Sequence, residues 1–208
     1  DGIDDYLVGG GTNINGTIDI ETDVNPSIIK TNPNILNGLV GRWNMDEARW
    51  NGTAGEVLDS SGNNNHGVSQ SGTQVNQGIQ LNAGSFDGVD DRVSIPRNSA
   101  LEPATELTLS AWVNWKNFTN SSYGKFVSKM KDTSSSPYKS YEFFQYASTQ
   151  KIIWSVNVNG AYVETSKVKI PLNKWVHLVG TWKSGEPLKL YINGIESASS
   201  TTSPAGSI

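Results

Sequence analysis

The stretch LTLSAWVNW, Leu107 to Trp115, constrains the fold more than any other part of the chain. Leu107, Leu109, Ala111, Val113 and Trp115 fall on one side of an extended segment, and Thr108, Ser110, Trp112 and Asn114 on the other. A single register therefore buries one whole face. Short runs of the same kind, separated by turn residues, recur from about Ile35 onward: LVGRWNM, DRVSIP, YEFFQY, KIIWSVNV, AYVETSKV, KWVHLVGTW and LKLYING. Helical period is nowhere sustained, so the pattern predicts an all-β chain built as a sandwich or jelly roll. WVHLVGTW is apolar on both faces, as a central strand covered on both sides or facing a ligand groove is. Asn159-Gly160 and Asn193-Gly194 predict two-residue type I′ hairpins, because both turn positions need positive φ.

Composition removes several classes of function. With 208 residues the chain suits one all-β domain, or at most two small ones, and can bury a full two-layer core; one domain is the expectation. Sixteen basic and 20 acidic residues give a net charge of -4 with no basic run, which is not the surface that neutralises phosphates, so no nucleic-acid partner is expected. No stretch has the roughly 18 apolar residues of a membrane span, and no basic-then-apolar leader is seen, so no membrane insertion is expected and the chain reads as processed or excised. Cysteine is absent, which excludes disulfides, thiolate nucleophiles and zinc-thiolate sites. Four N-x-S/T sequons, at Asn15, Asn51, Asn117 and Asn120, fit a glycosylated extracellular surface. Asn, Ser and Thr are common enough here for several sequons to arise by chance.

The N-terminal stretch stands apart from this body. DGIDDYLVGGGTNINGTIDIE, residues 1–21, alternates like a strand, and Leu7, Val8, Ile14, Ile18 and Ile20 are its candidate pairing residues. A proline-containing linker, 22–36, follows, in which Pro26 and Pro33 break helix and impose extended backbone just before them. The body is expected over 37–208. A stretch of about 17 residues here could reach roughly 50 Å if extended.

GLVGRWNMDE, DSSGNNNHG, SFDGVDDRVSIP, LTLSAWVNW and NKWVHLVGTWKSGEPLKLYINGIE, in that order and spacing from about Leu36 to Ala198, resemble the laminin-G-like, concanavalin-A-like jelly rolls of extracellular proteins. The resemblance implies two stacked antiparallel sheets, frequent calcium at the rim, and roles in carbohydrate binding, adhesion or as accessory modules. It also implies a departure. Members of the family usually continue after a motif like LYING into further strands, and LVGGGTNINGTIDIE, Leu7 to Glu21, is similar to those terminal strands, so their order looks permuted to the N-terminus. A competing reading is duplication, because DGIDDYLV resembles DGVDDRVS at Asp87 to Ser94. On the permuted reading the arm pairs beside GLVGRWNM, in its own chain or in a neighbour, and the long linker favours the neighbour. Head-to-tail exchange of that kind builds filaments.

Site residues follow from the same blocks. Asp59, Asn63, Asn64 and Asn65 in LDSSGNNNHG and Asp87, Asp90 and Asp91 in FDGVDD offer the oxygen donors calcium takes, though such residues also make turns by themselves. Glu47 is a further candidate ligand, and the resemblance implies that Asp19 lies near the same rim, where calcium could bridge arm and body. Asp19, Glu21 and Asp23 have the i, i+2, i+4 spacing of some glucanases of this architecture. The family motif there is Glu-x-Asp-x-Glu on an inner strand, whereas this is Asp-x-Glu-x-Asp running into a linker, so no catalysis is expected. His66 and His177, the only histidines, read as structural, since no nucleophile-elbow motif surrounds any serine. Trp112, Trp154 and Tyr191 are candidate sugar-stacking rings. The expectation is a non-catalytic extracellular structural or adhesive subunit that polymerises as a homopolymer by strand exchange. Its rival is a calcium-dependent module that binds a glycan ligand.

Overall fold

The structure is a computed structural model that describes residues 14–19, 38–118, 124–130, 139–146 and 149–208, the first of these as backbone only. Leu7, Val8, Ile20, Glu21, Asp23, Asn120 and the linker prolines lie outside the described residues. Fourteen strands are seen among those described: β1 Ile14–Asp19, β2 Val68–Gln70, β3 Gln74–Gln77, β4 Asn82–Asp87, β5 Arg92–Ser94, β6 Glu106–Phe118, β7 Lys125–Met130, β8 Lys139–Gln145, β9 Lys151–Val158, β10 Ala161–Glu164, β11 Val168–Lys169, β12 Trp175–Lys183, β13 Lys189–Ile192 and β14 Ile195–Ser199. They form a seven-stranded sheet in the order β14-β13-β12-β6-β1-β4-β3, a five-stranded sheet β10-β9-β8-β7 with β11 on β9, and the ribbon β2-β5. Every pairing is antiparallel.

Alternation explains the large sheet. Along β12, Trp175, His177, Val179 and Thr181 are half-buried and Val176, Leu178, Gly180 and Trp182 are buried, so the strand turns its even face to the core. β6 adds Ala111, Val113 and Trp115 to the same face. Both asparagine-glycine turns are present: Asn159 (φ 52°) with Gly160 (φ 86°) joins β9 to β10, and Asn193 (φ 50°) with Gly194 (φ 80°) joins β13 to β14. These are left-handed conformations that asparagine and glycine accept at low cost.

The two large sheets meet through aromatic rings. Trp154 of β9 is fully buried and lies over Gly180 of β12, where an added Cβ would stand 2.4 Å from the ring. Its indole N–H donates to the Thr181 carbonyl at 3.1 Å, which satisfies the polar end of a ring sealed in the core. Phe143 packs on Trp154 at 4.9 Å between ring centres, and Phe126 meets Trp115 edge-on at 5.4 Å.

Among the described residues LVGRWNM, expected as a strand and as the partner of the N-terminal arm, forms no strand and does not pair with Ile14–Asp19. Its ladder contribution is one isolated bridge, Trp43 to Asp59. Side chains hold it instead: Asn63 Nδ2 donates to the Leu39 carbonyl, Asn65 Nδ2 to the Val40 carbonyl, and Asp59 accepts from the Arg42 N–H. The strand in the N-terminal segment does form, between β4 and β6, with Gly16 opposite both Phe86 and Trp115.

Candidate functional site

The acidic residues expected to share one cation separate into two groups with different chemistry. Asp59 is buried and its carboxylate is committed to backbone. Oδ1 accepts from the N–H groups of Arg42 (2.9 Å) and Ser61 (2.8 Å), and Oδ2 accepts from Asn65 (2.9 Å). Burial pushes this carboxyl up, but hydrogen bonds from the Ser61 side chain and from those backbone groups outweigh it and hold it below the usual range. The Asp59 N–H in turn donates to Nδ1 of His66, which gives that histidine a structural task. Glu47 accepts from the Trp50 indole (3.0 Å) and the Leu58 N–H (2.9 Å), and Asn63 donates to Leu39 and to Ser61. Glu47, Asp59 and Asn63 therefore tie loops together, and the acidic cluster that contains Asp87 includes neither Glu47 nor Asp59.

Asp87, Asp90 and Asp91 do cluster. One carboxylate oxygen from each lies within 4.8 Å of the others, at the turn between β4 and β5. Asp87 and Asp90 are exposed and Asp91 is buried. Burial raises the Asp91 carboxyl; a hydrogen bond from the Asp87 N–H opposes this, while the charges of Asp87 and Asp90 add to it. The backbone of Asp19 lies away from this rim. The register sets Asn15 opposite Asp87 and Asp19 opposite Trp112, four residues and roughly 13 Å further along β1.

The outward face of the seven-stranded sheet carries a groove of about 690 Å³. Its floor includes Thr108 and Ser110 of β6, Thr181 of β12, and Lys189 and Tyr191 of β13, and Gly38–Val40 forms one wall. Glu106, Lys183 and Glu186 line it as well. Ion pairs fix two of its lysines: Lys189 meets Glu196 at 3.0 Å and Lys183 meets Glu186 at 3.1 Å. The Ser110 hydroxyl lies 2.8 Å from Nε2 of His177, whose ring stacks on Trp112 with centres 4.9 Å apart.

Of the three rings expected to meet a sugar, only Tyr191 lines the groove. Trp112 stands one step beyond Ser110 on the same face, half-buried under His177. Trp154 is in the core and is not available to any ligand, because β9 is buried on both faces. The groove's hydroxyls and charges were legible only as the outward positions of β6 and β12, and the wall at Gly38–Val40 had no sequence signal.

Among the sequons, Asn51 is exposed in a loop, where its Oδ1 accepts from the Thr53 N–H at 3.0 Å. Asn15 and Asn117 are register partners within β1 and β6. No helix among the described residues is long and apolar enough to cross a membrane.

Comparison with curated proteins finds no match. Among solved structures, the binding domain of Paraclostridial Mosquitocidal Protein 1 is similar, with a TM-score of 0.62 at 15% sequence identity over 83% of this chain. The chain spans 42% of that one, and the likeness is one of fold. Residues 87–207, more than half of the chain, match the laminin G-like family described as the concanavalin A-like lectin/glucanases superfamily. That match begins later than the resemblance read from Leu36 and covers β5 to β14 in full, and with the two-sheet sandwich it shows that the chain belongs to this family.

Proposed function

We propose that this chain is a non-catalytic, extracellular carbohydrate-binding module whose ligand lies in the groove on the outward face of the seven-stranded sheet. The observation that carries this reading is the composition of the groove: one aromatic ring, Tyr191, beside the hydroxyls of Thr108, Ser110 and Thr181 and the charged ends of Lys189 and Glu106. A ring stacks against the apolar face of a sugar while hydroxyl and charged groups bond its oxygens. A glycan array followed by titration calorimetry tests this. Tyr191→Ala should weaken the best glycan by about tenfold, on the order of 1.4 kcal/mol. Absence of selective binding by the folded protein, or binding indifferent to Tyr191, would reject the groove.

Calcium belongs to the same proposal, at Asp87, Asp90 and Asp91. Three hard oxygen donors within 4.8 Å of one another suit it, and the Asp91 carboxyl, raised first by burial and then by the charges of Asp87 and Asp90, is one whose ionised form a cation would stabilise. Asp91 titrates higher in the folded chain than unfolded, so its contribution to stability is present at low pH and is lost as pH rises through its folded value. A bound cation offsets that loss. At about 100 times its dissociation constant calcium should add about 2.7 kcal/mol, or roughly 5–10 °C in Tm at pH 7. The gain should vanish in Asp91→Asn and shrink at pH 4. An unchanged melt with calcium would remove the ion from the proposal.

A second reading, a structural or adhesive subunit that assembles into a filament, is supported by one observation. The strand from the N-terminal segment supplies the middle of a sheet whose other members lie at least 55 residues further along the chain. Electron microscopy of concentrated protein tests it, with fibres as the expected result.

A further inference from the structure

The seven-stranded sheet is continuous only through β1. β4 and β6 flank it and do not neighbour one another, and Ile14–Asp19 runs antiparallel to both. This gap is selective for what enters it. The register sets position 16 between Phe86 and Trp115, each 1% exposed, and the residue there is glycine. Directly opposed residues of paired strands share a face, so by register a larger residue at this position crowds two buried aromatic positions. Position 18, isoleucine, lies opposite Gly84 and Val113. Gly84 is itself required, because the Phe86 ring lies over it and an added Cβ would stand 2.9 Å away. Sliding the strand by two residues brings isoleucine between Phe86 and Trp115, and sliding it by one turns its other face inward. The gap thus accepts a Gly-x-Ile strand in one register.

We propose that the gap between β4 and β6 is a strand-acceptor site, and that its occupant in an assembly is the Ile14–Asp19 strand of a second copy of this chain. The pairing joins backbone groups and the selectivity lies in Gly16 and Ile18, so the site does not distinguish its own strand from a neighbour's. The 18 residues from 20 to 37 connect β1 to the body and, extended, span about 60 Å, enough to reach an adjacent molecule. Head-to-tail insertion gives an open, non-closing series, and reciprocal insertion a closed dimer. This deepens the subunit reading and is independent of the carbohydrate reading.

The chain has no cysteine, so the test needs no background removal. Thr17→Cys and Ser85→Cys are made in separate full-length chains, at positions directly opposite in the register and within the span of a disulfide. The two variants are mixed unfolded, refolded together and oxidised over a range of concentrations. The expected result is a disulfide-linked heterodimer whose yield rises with concentration and falls at least tenfold when Gly16→Val is added to the Thr17→Cys chain. A control pair, Thr17→Cys with Lys183→Cys, should stay at background. The chain carrying both Thr17→Cys and Ser85→Cys reports whether the substitutions are tolerated, through its internal bridge. An internal bridge in that chain, with no heterodimer above control at any concentration, overturns the proposal. Fibres without the cross-link reject strand exchange and leave the subunit reading standing on another interface. The cross-link without fibres supports the acceptor site and rejects the filament.

Discussion

Deleting residues 1–21 should abolish cooperative folding. The deletion removes β1, a six-residue strand paired on both sides. It leaves the facing edges of β4 and β6 without partners and opens the core beside Phe86 and Trp115, which are buried in the intact chain. Unpaired strand edges beside exposed aromatic rings are an aggregation hazard. The loss is on the order of a small domain's whole stability, about 5–15 kcal/mol. Circular dichroism should show no sharp thermal transition, dye binding should report exposed apolar surface, and the chain should precipitate at concentrations the intact protein tolerates. A shortened chain that melts sharply within a few degrees of the intact one would show that β1 is dispensable. A synthetic peptide covering residues 12–21 should restore part of the transition if the remaining sheet keeps its shape.

Asp59→Ala should be the most damaging single substitution in the rim loops. Three backbone N–H groups, from Arg42, Ser61 and Asn65, lose their acceptor, the last in a buried place and the other two in partly buried ones. At about 1–3 kcal/mol for each unsatisfied donor, allowing for relaxation, the cost is roughly 3–5 kcal/mol. For a domain of this size that lowers Tm by about 10–15 °C. The pH dependence has a definite sign. Asp59 is held below the usual carboxylate range when folded, so its contribution is present above the unfolded value and is lost as pH falls through the folded value. Glu56, which accepts from Asn51, Gly52 and Ser69, and Glu102, beside Lys129 and Arg97, have the same sign. Thermal melts between pH 6 and pH 2 should fall steeply for the intact protein and less steeply for Asp59→Ala. Parallel curves would show that Asp59 contributes nothing to acid sensitivity.

The parts of the fold that were legible in the sequence are those where one residue type has a single physical reason to be there. Asn159-Gly160 and Asn193-Gly194 take positive φ and could be read as hairpins without knowing what surrounds them. β6 and β12 were legible because one or both faces of each strand are apolar over nine residues or more. β4 was not, since NAGSFD contains alanine, glycine and serine, which have little strand preference. Its place comes from Phe86 and from the two neighbours that pair with it. LVGRWNM has the alternation of a strand, yet beyond one bridge and the Ser60 N–H on the Arg42 carbonyl its backbone is held by the side chains of Asp59, Asn63 and Asn65, and composition does not separate that arrangement from a ladder.

The site was less legible because the same residue types serve several purposes. Asp59 and Asp87 sit in similar stretches of Asp, Asn, Ser and Gly, and the difference between a carboxylate saturated by N–H groups and one facing two other carboxylates appears only in three dimensions. Trp154 lies in a strand buried on both faces, so alternation carries no information about which rings meet solvent. Asp19 could be placed on a strand from sequence but not in register, and register decides that it stands opposite Trp112 rather than beside the acidic rim.

The position of β1 also governs how the chain reaches its final state. Ile18 pairs with Gly84 and with Val113, so two loops, of 66 and 95 residues, must close before this strand gains its contacts. Pairings so distant along the chain make folding slow, because loop-closure entropy is lost before any contact compensates for it. A molecule waiting in that half-formed state presents two bare edges and a waiting strand. Its partition between solitary and shared folding is therefore set by how crowded it is while it folds, and dilution during refolding should change the product as well as the yield.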